Sequence, residues 1–362
     1  MRTGSASWLL VALGLLGGAC GGARAGADAA RPPAAPEALA ALAQGVEAED
    51  EEGALRHFER AVAQDPELWE ARYDLGVVLA NRGDLERAEQ ELARAHASAP
   101  EAEDVVVALA EVRRRRGEPA GAVEVLEAFV AAQPRALTAR TALVAALREV
   151  SATDRAITQA REVLVQRPGD ARALSELAMA HLDRGEVDAA DLLVRQALAA
   201  ERRTAAAERT AGLVAWRRGE DAVAFRHFQA AAELDPRDAT AQLNMGSVLL
   251  MAGVYDRAAT AFRSVLENEP ANVDAALGLA AALRGLGSRE DATPYAEAER
   301  LLRGVLEAQP RHPEAAFNLG VLYLRNLDRR ADAKAHLERA KKNAPSKSET
   351  YRRATELLEE LR

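Results

Sequence analysis

The chemistry-bearing side chains of this 362-residue chain are few and scattered. Its one thiol, Cys20, follows an apolar run from Trp8 to Leu16. A lone thiol cannot form an intrachain disulfide or a cysteine-based zinc ribbon, but it is a nucleophile that can take a covalent modification. The six histidines (His57, His96, His181, His227, His312 and His336) have no metal-site spacing. No HExxH, P-loop or GxSxG pattern occurs, and no cleft-marking pair of carboxylates stands out. The reading is therefore of a chain with no catalytic residues, no metal, no cofactor and no small-molecule substrate. Arg113 to Arg116 would suit an anion or an acidic partner, or else mark the exposed end of a helix, where cations complement the dipole. The net charge of −9 leaves no broad basic footprint for nucleic acid.

Residues 1–19 have the build of an export signal: Arg2 ahead of a short apolar stretch, then Gly17, Gly18 and Ala19 before the cysteine. The stretch is too short to cross a bilayer as a mature helix. Leu16, Gly18 and Ala19 before Cys20 resemble the lipobox of bacterial lipoproteins, although Gly17 holds the third position before the cysteine, where Leu is the better match. The resemblance implies diacylglyceryl attachment, and in many bacteria N-acylation, at Cys20. Two or three acyl chains anchor a protein stably. An ordinary secretory signal with a chance cysteine is the alternative. Gly21 stands where an Asp would signal inner-membrane retention, which by the same resemblance favours an outer-membrane anchor facing the periplasm. Residues 20–36, rich in Gly, Ala and Pro, read as a flexible tether.

The elements that must position any binding surface come from the remainder, which is short of large side chains. Only 4 % of residues are aromatic, while 84 are Ala. Such a composition suits many close helix contacts better than one thick core. Pro66, Pro100, Pro134 and Pro168 lie 34 residues apart, Arg202 takes the next place, and Pro236 and Pro270 resume the spacing. Pro310 and Pro345 follow after 40 and 35 residues. Twelve residues before each of these nine points stands an Ala, from Ala54 to Ala333, with further apolar residues eight and five before. Those offsets share one helical face. Gly83, Gly117, Gly185, Gly219, Gly253 and Gly287, with Ser151, fall where each first helix must end and turn.

A 34-residue period with pieces such as Tyr73-Asp74-Leu75-Gly76, Asn244-Met245-Gly246 and Asn318-Leu319-Gly320 resembles the tetratricopeptide repeat family. The fold expected is all-α: a superhelical solenoid of about nine helix–turn–helix repeats over residues 37–345, then a capping helix over 346–362 starting at Ser348. The eighth repeat carries six extra residues within 288–296, read as loop-length variation or as a contact site. The resemblance implies that first helices line a groove for another protein. It places Tyr73, Asp74, Arg209, Trp216, Asn244, Leu250, Phe317 and Asn318 there, with Asn244 and Asn318 where some members hold a peptide backbone. Trp216 is either an anchor for the partner or filling between repeats. Residues 239–345 are similar to the gliding-motility tetratricopeptide lipoproteins of myxobacteria. That similarity implies an anchored scaffold for other envelope proteins. A pilotin for secretin assembly and a regulatory subunit of cell-wall enzymes are the alternatives.

Overall fold

The structure is a computed structural model that describes residues 33–200 and 203–361. Cys20, the signal segment and the tether up to residue 32 lie outside the described residues. Those described residues hold nineteen α-helices and no strand, in two compact units that meet at Arg203/Thr204.

The first unit contains α1 (Pro36–Val46), α2 (Glu51–Gln64), α3 (Trp69–Asn81), α4 (Leu85–Ser98), α5 (Glu103–Arg115), α6 (Pro119–Ala132), α7 (Leu137–Glu149), α8 (Thr153–Gln166), α9 (Ala171–Asp183) and α10 (Val187–Leu198). The second contains α11 (Ala205–Arg217), α12 (Asp221–Leu234), α13 (Ala239–Met251), α14 (Tyr255–Asn268), α15 (Val273–Leu286), α16 (Thr293–Ala308), α17 (Pro313–Arg325), α18 (Arg330–Asn343) and α19 (Glu349–Glu360). Odd-numbered helices up to α17 open the nine repeats, even-numbered ones close them, and α19 caps the array. Within each unit each helix packs on its sequence neighbours. First helices also pack on the next first helix, as α3 on α5, α5 on α7, α13 on α15 and α15 on α17, without a matching set of contacts among second helices. Within each unit the first helices therefore lie on the inner side of the curve.

The periodic alanines explain how the helices approach so closely. All nine, Ala54, Ala88, Ala122, Ala156, Ala190, Ala224, Ala258, Ala298 and Ala333, are 0 % exposed. A second device is a glycine facing a ring. A Cβ on Gly212 would lie 2.4 Å from the Phe228 ring, and one on Gly278 would lie 2.5 Å from Phe262. No methyl group fits at those distances, so glycine is required despite its low helix propensity.

The turns follow the sequence reading at Gly83, Gly117, Gly185, Gly219, Gly253 and Ser151, all at positive φ. Gly287 is a correction: it is extended, at φ −65° and ψ 147°. The six extra residues change the exit path there. They form a turn in which Ser288 Oγ accepts from the Glu290 and Asp291 amides. Buried Tyr295 then donates its hydroxyl to the Gly287 carbonyl at 2.7 Å and takes the space a side chain at 287 would need. In the ninth repeat Asp328, at φ 51°, supplies the left-handed residue instead. Ser348 accepts from the Tyr351 amide and starts α19, whose Ala354 is fully buried.

Candidate partner-binding surfaces

The groove positions divide between the two units, and their electrostatics differ. In the first unit Tyr73 and Asp74 on α3 are half-buried, with Asp104 nearby on α5. Asp74 has no hydrogen-bond or ion-pair partner among the described residues. Burial, then repulsion from Glu70, pushes its carboxyl up to about 7. Asp104 is also raised, by burial and then Glu103. The Tyr73 hydroxyl is held above its usual range by burial, then by Asp104 and Asp74. Carboxyl groups without a cation to pair with, and with their protons held more tightly than usual, therefore collect on α3 and α5.

Arg113, Arg114, Arg116 and Arg148 of this unit are already engaged. Arg114 bonds Glu111 at 2.6 Å and Glu149 at 3.0 Å, joining α5 to α7. Arg148 continues the ladder to α9, with Glu176 at 3.1 Å and Asp183 at 2.7 Å. Arg113 pairs with Glu89 at 2.9 Å and donates to the Gly121 carbonyl, while Arg116 also reaches Glu89. Arg113, Arg114 and Arg116 thus tie neighbouring helices together, and the run stands where the sequence reading put it, in the last turn of a first helix, with Arg115 exposed and without a partner among the described residues.

In the second unit Trp216, at the end of α11, is half-buried. Its ring stands edge-on to Phe228 at 6.4 Å, and it packs with Leu213 against a cluster that includes Val248 of α13. Filling and anchoring are thus both available to it: one part of the ring packs, another faces solvent. Asn244 and Asn318 are half-buried on α13 and α17, and neither side chain has a partner among the described residues. Leu250 is half-buried on α13, packed at the margin of the largest core cluster. Arg209 is spent on Asp238, the residue that also caps α13. Phe317 is 7 % exposed, and Arg353 of α19 lies 5.2 Å above its ring. A partner would therefore meet that arginine before the ring.

Sequence reasoning missed a set of polar ties between the two helices of alternate repeats. Arg72 donates to the Pro66 carbonyl at 2.6 Å and pairs with Glu91. Arg140 donates to the Pro134 carbonyl at 3.1 Å and to Gln159 at 2.6 Å. His227 Nδ1 is 2.8 Å from the fully buried Glu208. Each pair is separated by 19 residues, so a search for polar residues at that spacing would have found them. Intervening repeats place Val106 and Val125, or Leu174 and Leu193, at these positions.

The histidines have structural surroundings. His181 meets Glu186 at 2.5 Å, and His312 Nδ1 caps α17. Among the described residues no three His, Cys, Asp or Glu side chains are grouped to hold a metal, and no helix is long and apolar enough to cross a membrane.

Two family models, both described as tetratricopeptide repeat, match this chain. One covers residues 45–105; the other covers 107–171, 146–200, 175–239, 243–293 and 288–348. The chain belongs to the tetratricopeptide repeat family. No curated protein sequence matches it. Among solved structures it is similar to a chain of the APC/C hetero-tetramer Cut9–Hcn1, with TM-score 0.62 and 16 % identity over 89 % of this chain. It spans 62 % of that chain's length. Human IFIT1, solved as a dimer with m7Gppp-AAAA, gives TM-score 0.59 and 16 % identity, covering 89 % of this chain and 79 % of that one. At such identities the likeness is one of fold. Tandem repeats of this family make the chain a protein-interaction scaffold.

Proposed function

We propose that this tetratricopeptide scaffold holds an extended segment of a partner protein along the inner face of its second unit. The observation that carries the reading is the pair of half-buried carboxamides, Asn244 and Asn318, with no partner of their own. A half-buried carboxamide on the inner face has a donor and an acceptor to offer, and a peptide backbone supplies the complement of each. Trp216 and Leu250 offer apolar contact on the same series of first helices. The test is the double variant Trp216→Ala with Asn244→Ala, compared with the parent for partner capture, helicity and melting. Capture should fall at least thirtyfold, the loss of about 2 kcal/mol or more expected for a buried anchor, with the melting curve nearly kept. Loss of capture only in proportion to loss of fold would return Trp216 to the core.

The setting we propose is the bacterial envelope, with the scaffold held to a membrane by lipid on Cys20 and facing the periplasm. Support comes from the run Trp8 to Cys20 and the Gly- and Pro-rich stretch behind it. There the chain would serve as a component of an envelope-spanning motility machine, a role supported by the similarity of residues 239–345 to myxobacterial gliding lipoproteins. Cys20→Ser should release the protein from the detergent phase and abolish globomycin-sensitive processing; unchanged partition would place the anchor elsewhere. Crosslinking in intact envelopes, followed by pull-down, should recover motility components. Recovery of secretin subunits alone would favour secretin assembly instead.

A further inference from the structure

All four lysines of the chain lie between residues 334 and 347: Lys334, Lys341, Lys342 and Lys347. The first three are on α18, the second helix of the ninth repeat, and Lys347 is in the turn that leads to α19. With Arg330 and Arg339, α18 carries five cations against Asp332 and Glu338, a formal charge of +3. Every other second helix carries a formal charge between −2 and 0. Arg330, Lys334, Lys342 and Lys347 are exposed, and none has a side-chain hydrogen-bond or ion-pair partner among the described residues. Arg311, exposed and equally unpartnered, shares an open cleft with Glu338, Arg339 and Lys342. Arg339 donates there to the Pro310 carbonyl at 3.0 Å, a neutral group that leaves its charge in place. Helix stability does not account for this collection. Lys341 and Lys342 suit the C-terminal dipole of α18, but Arg330 is the first residue of the helix and opposes the dipole.

We infer that the outer face of α18, together with Arg311 and Lys347, docks on a bilayer surface rich in anionic phospholipid. The choice of lysine selects the occupant. Elsewhere the chain uses arginine, whose planar fork holds carbonyls and carboxylates in set directions, as Arg72 and Arg148 do. An ammonium on a flexible stem is a hydrated point charge with no preferred direction. It suits a fluid layer of phosphates, whose positions are not fixed, better than one carboxylate on a folded partner. The residues between the cations agree. The exposed ones are Ala331, Ala335 and Glu338, which supply no large apolar side chain to anchor a protein or to enter hydrocarbon. Contact is therefore peripheral and electrostatic, and clusters of about four to eight cations are what such surfaces attract. The face uses neither the groove residues of the second unit nor Cys20, so it stands or falls apart from both.

The experiment is partition of the full chain onto two kinds of vesicle, phosphatidylcholine alone and phosphatidylcholine with about one-third phosphatidylglycerol, read by sedimentation. Attachment through the run Trp8 to Leu16, or through acyl chains, does not depend on headgroup charge, so the ratio of the two partition coefficients isolates the basic face. That ratio should be about a hundredfold or more and fall toward one as NaCl is raised to about 0.5 M. Lys334→Gln with Lys342→Gln should lower it about twentyfold, roughly fivefold for each charge removed, and leave the melting curve unchanged. Arg94→Gln with Arg195→Gln removes two exposed charges from other second helices and should change the ratio less than about twofold. Arg311→Gln with Lys347→Gln, both outside the helices, should lower it as the lysine pair does and decides the matter if the lysine pair melts early. A ratio near one, or equal losses from the lysine pair and the Arg94/Arg195 pair, would overturn the bilayer reading. Tighter capture of polyglutamate or of single-stranded DNA than of the charged vesicles would overturn it too, in favour of an acidic partner or a nucleic acid.

Discussion

The two units use one repeat register and solve the same polar problem differently. In the second unit every first helix has a local cap: Thr204, Asp238, Asn272, His312 and, for the capping helix, Ser348. In the first unit the equivalent residues Ala35, Leu68, Ala102 and Ala136 cap nothing, and Asp170 alone does. Leu68 and Ala136 are buried there, so those positions serve packing. The start of α7 borrows its acceptor from the preceding repeat, where Glu103 receives the Ala139 amide at 2.8 Å. Residual charge divides along the same line. The first unit keeps carboxyl groups without a cation partner at Asp74 and Asp104, the second a cation without a carboxylate partner at Arg284. A net charge of −9 conceals both. The comparison separates what the family register fixes, which is the alanine spacing, from what each repeat is free to choose.

The largest expected effect tests how far the first unit depends on internal polar ties. Arg72→Met should cost about 3 kcal/mol, because it leaves Glu91 short of its partner in a mostly buried site. Adding Glu91→Leu should recover most of the loss in a urea titration. A single-variant cost no greater than that of the double variant would show the tie to be inessential.

The next effect lies in pH. Asp74 holds its proton up to about pH 7 when folded, whereas an unfolded carboxyl releases it near 4. Between those values the native state binds more protons than the unfolded state, so this group lowers stability as pH rises. Asp74→Asn should therefore leave the parent's stability almost unchanged at pH 4 and raise it by about 1–3 kcal/mol at pH 8. A parallel pair of melting profiles from pH 4 to pH 8 would remove Asp74 as the source.

Caps provide the third test. Asn272→Ala should cost about 1 kcal/mol, the usual value of a lost N-cap. Ala102→Asp, which gives α5 the cap it lacks, should add about half that. If both changes were neutral, local caps would not distinguish the units. The smallest effect belongs to Arg114→Ala. The partners of Arg114 are well exposed, so the loss should stay near 1 kcal/mol or below and shrink as salt is added.

Much of the architecture was legible because its signals repeat. Nine alanines at a fixed offset, with apolar residues one helical turn away, require helices that pass close together, and all nine are fully buried. The turn glycines were legible for the same reason. The exception, Gly287, sits where the period breaks and Tyr295 takes over the space. The binding surface was less legible because position in the repeat says which way a side chain points, not what it meets. Arg209 and Arg284 occupy first helices of the same register, yet one finds Asp238 and the other finds nothing. Phe317 has the spacing of a groove residue but lies beneath Arg353, which comes from a helix 36 residues further along.

The ties between helices in alternate repeats also bear on how the molecule would respond to tension. Pulled from its ends, an array of repeats peels apart one hairpin at a time. Where Val or Leu fills the place, the two helices are joined by nondirectional packing, which yields gradually as they slide. Where Arg72 grips both the Pro66 carbonyl and Glu91, and Arg140 grips the Pro134 carbonyl and Gln159, the contacts are short and directional and must break together. The second and fourth repeats would then act as stiff links between more compliant neighbours, and a single stretched molecule would rupture at two classes of force.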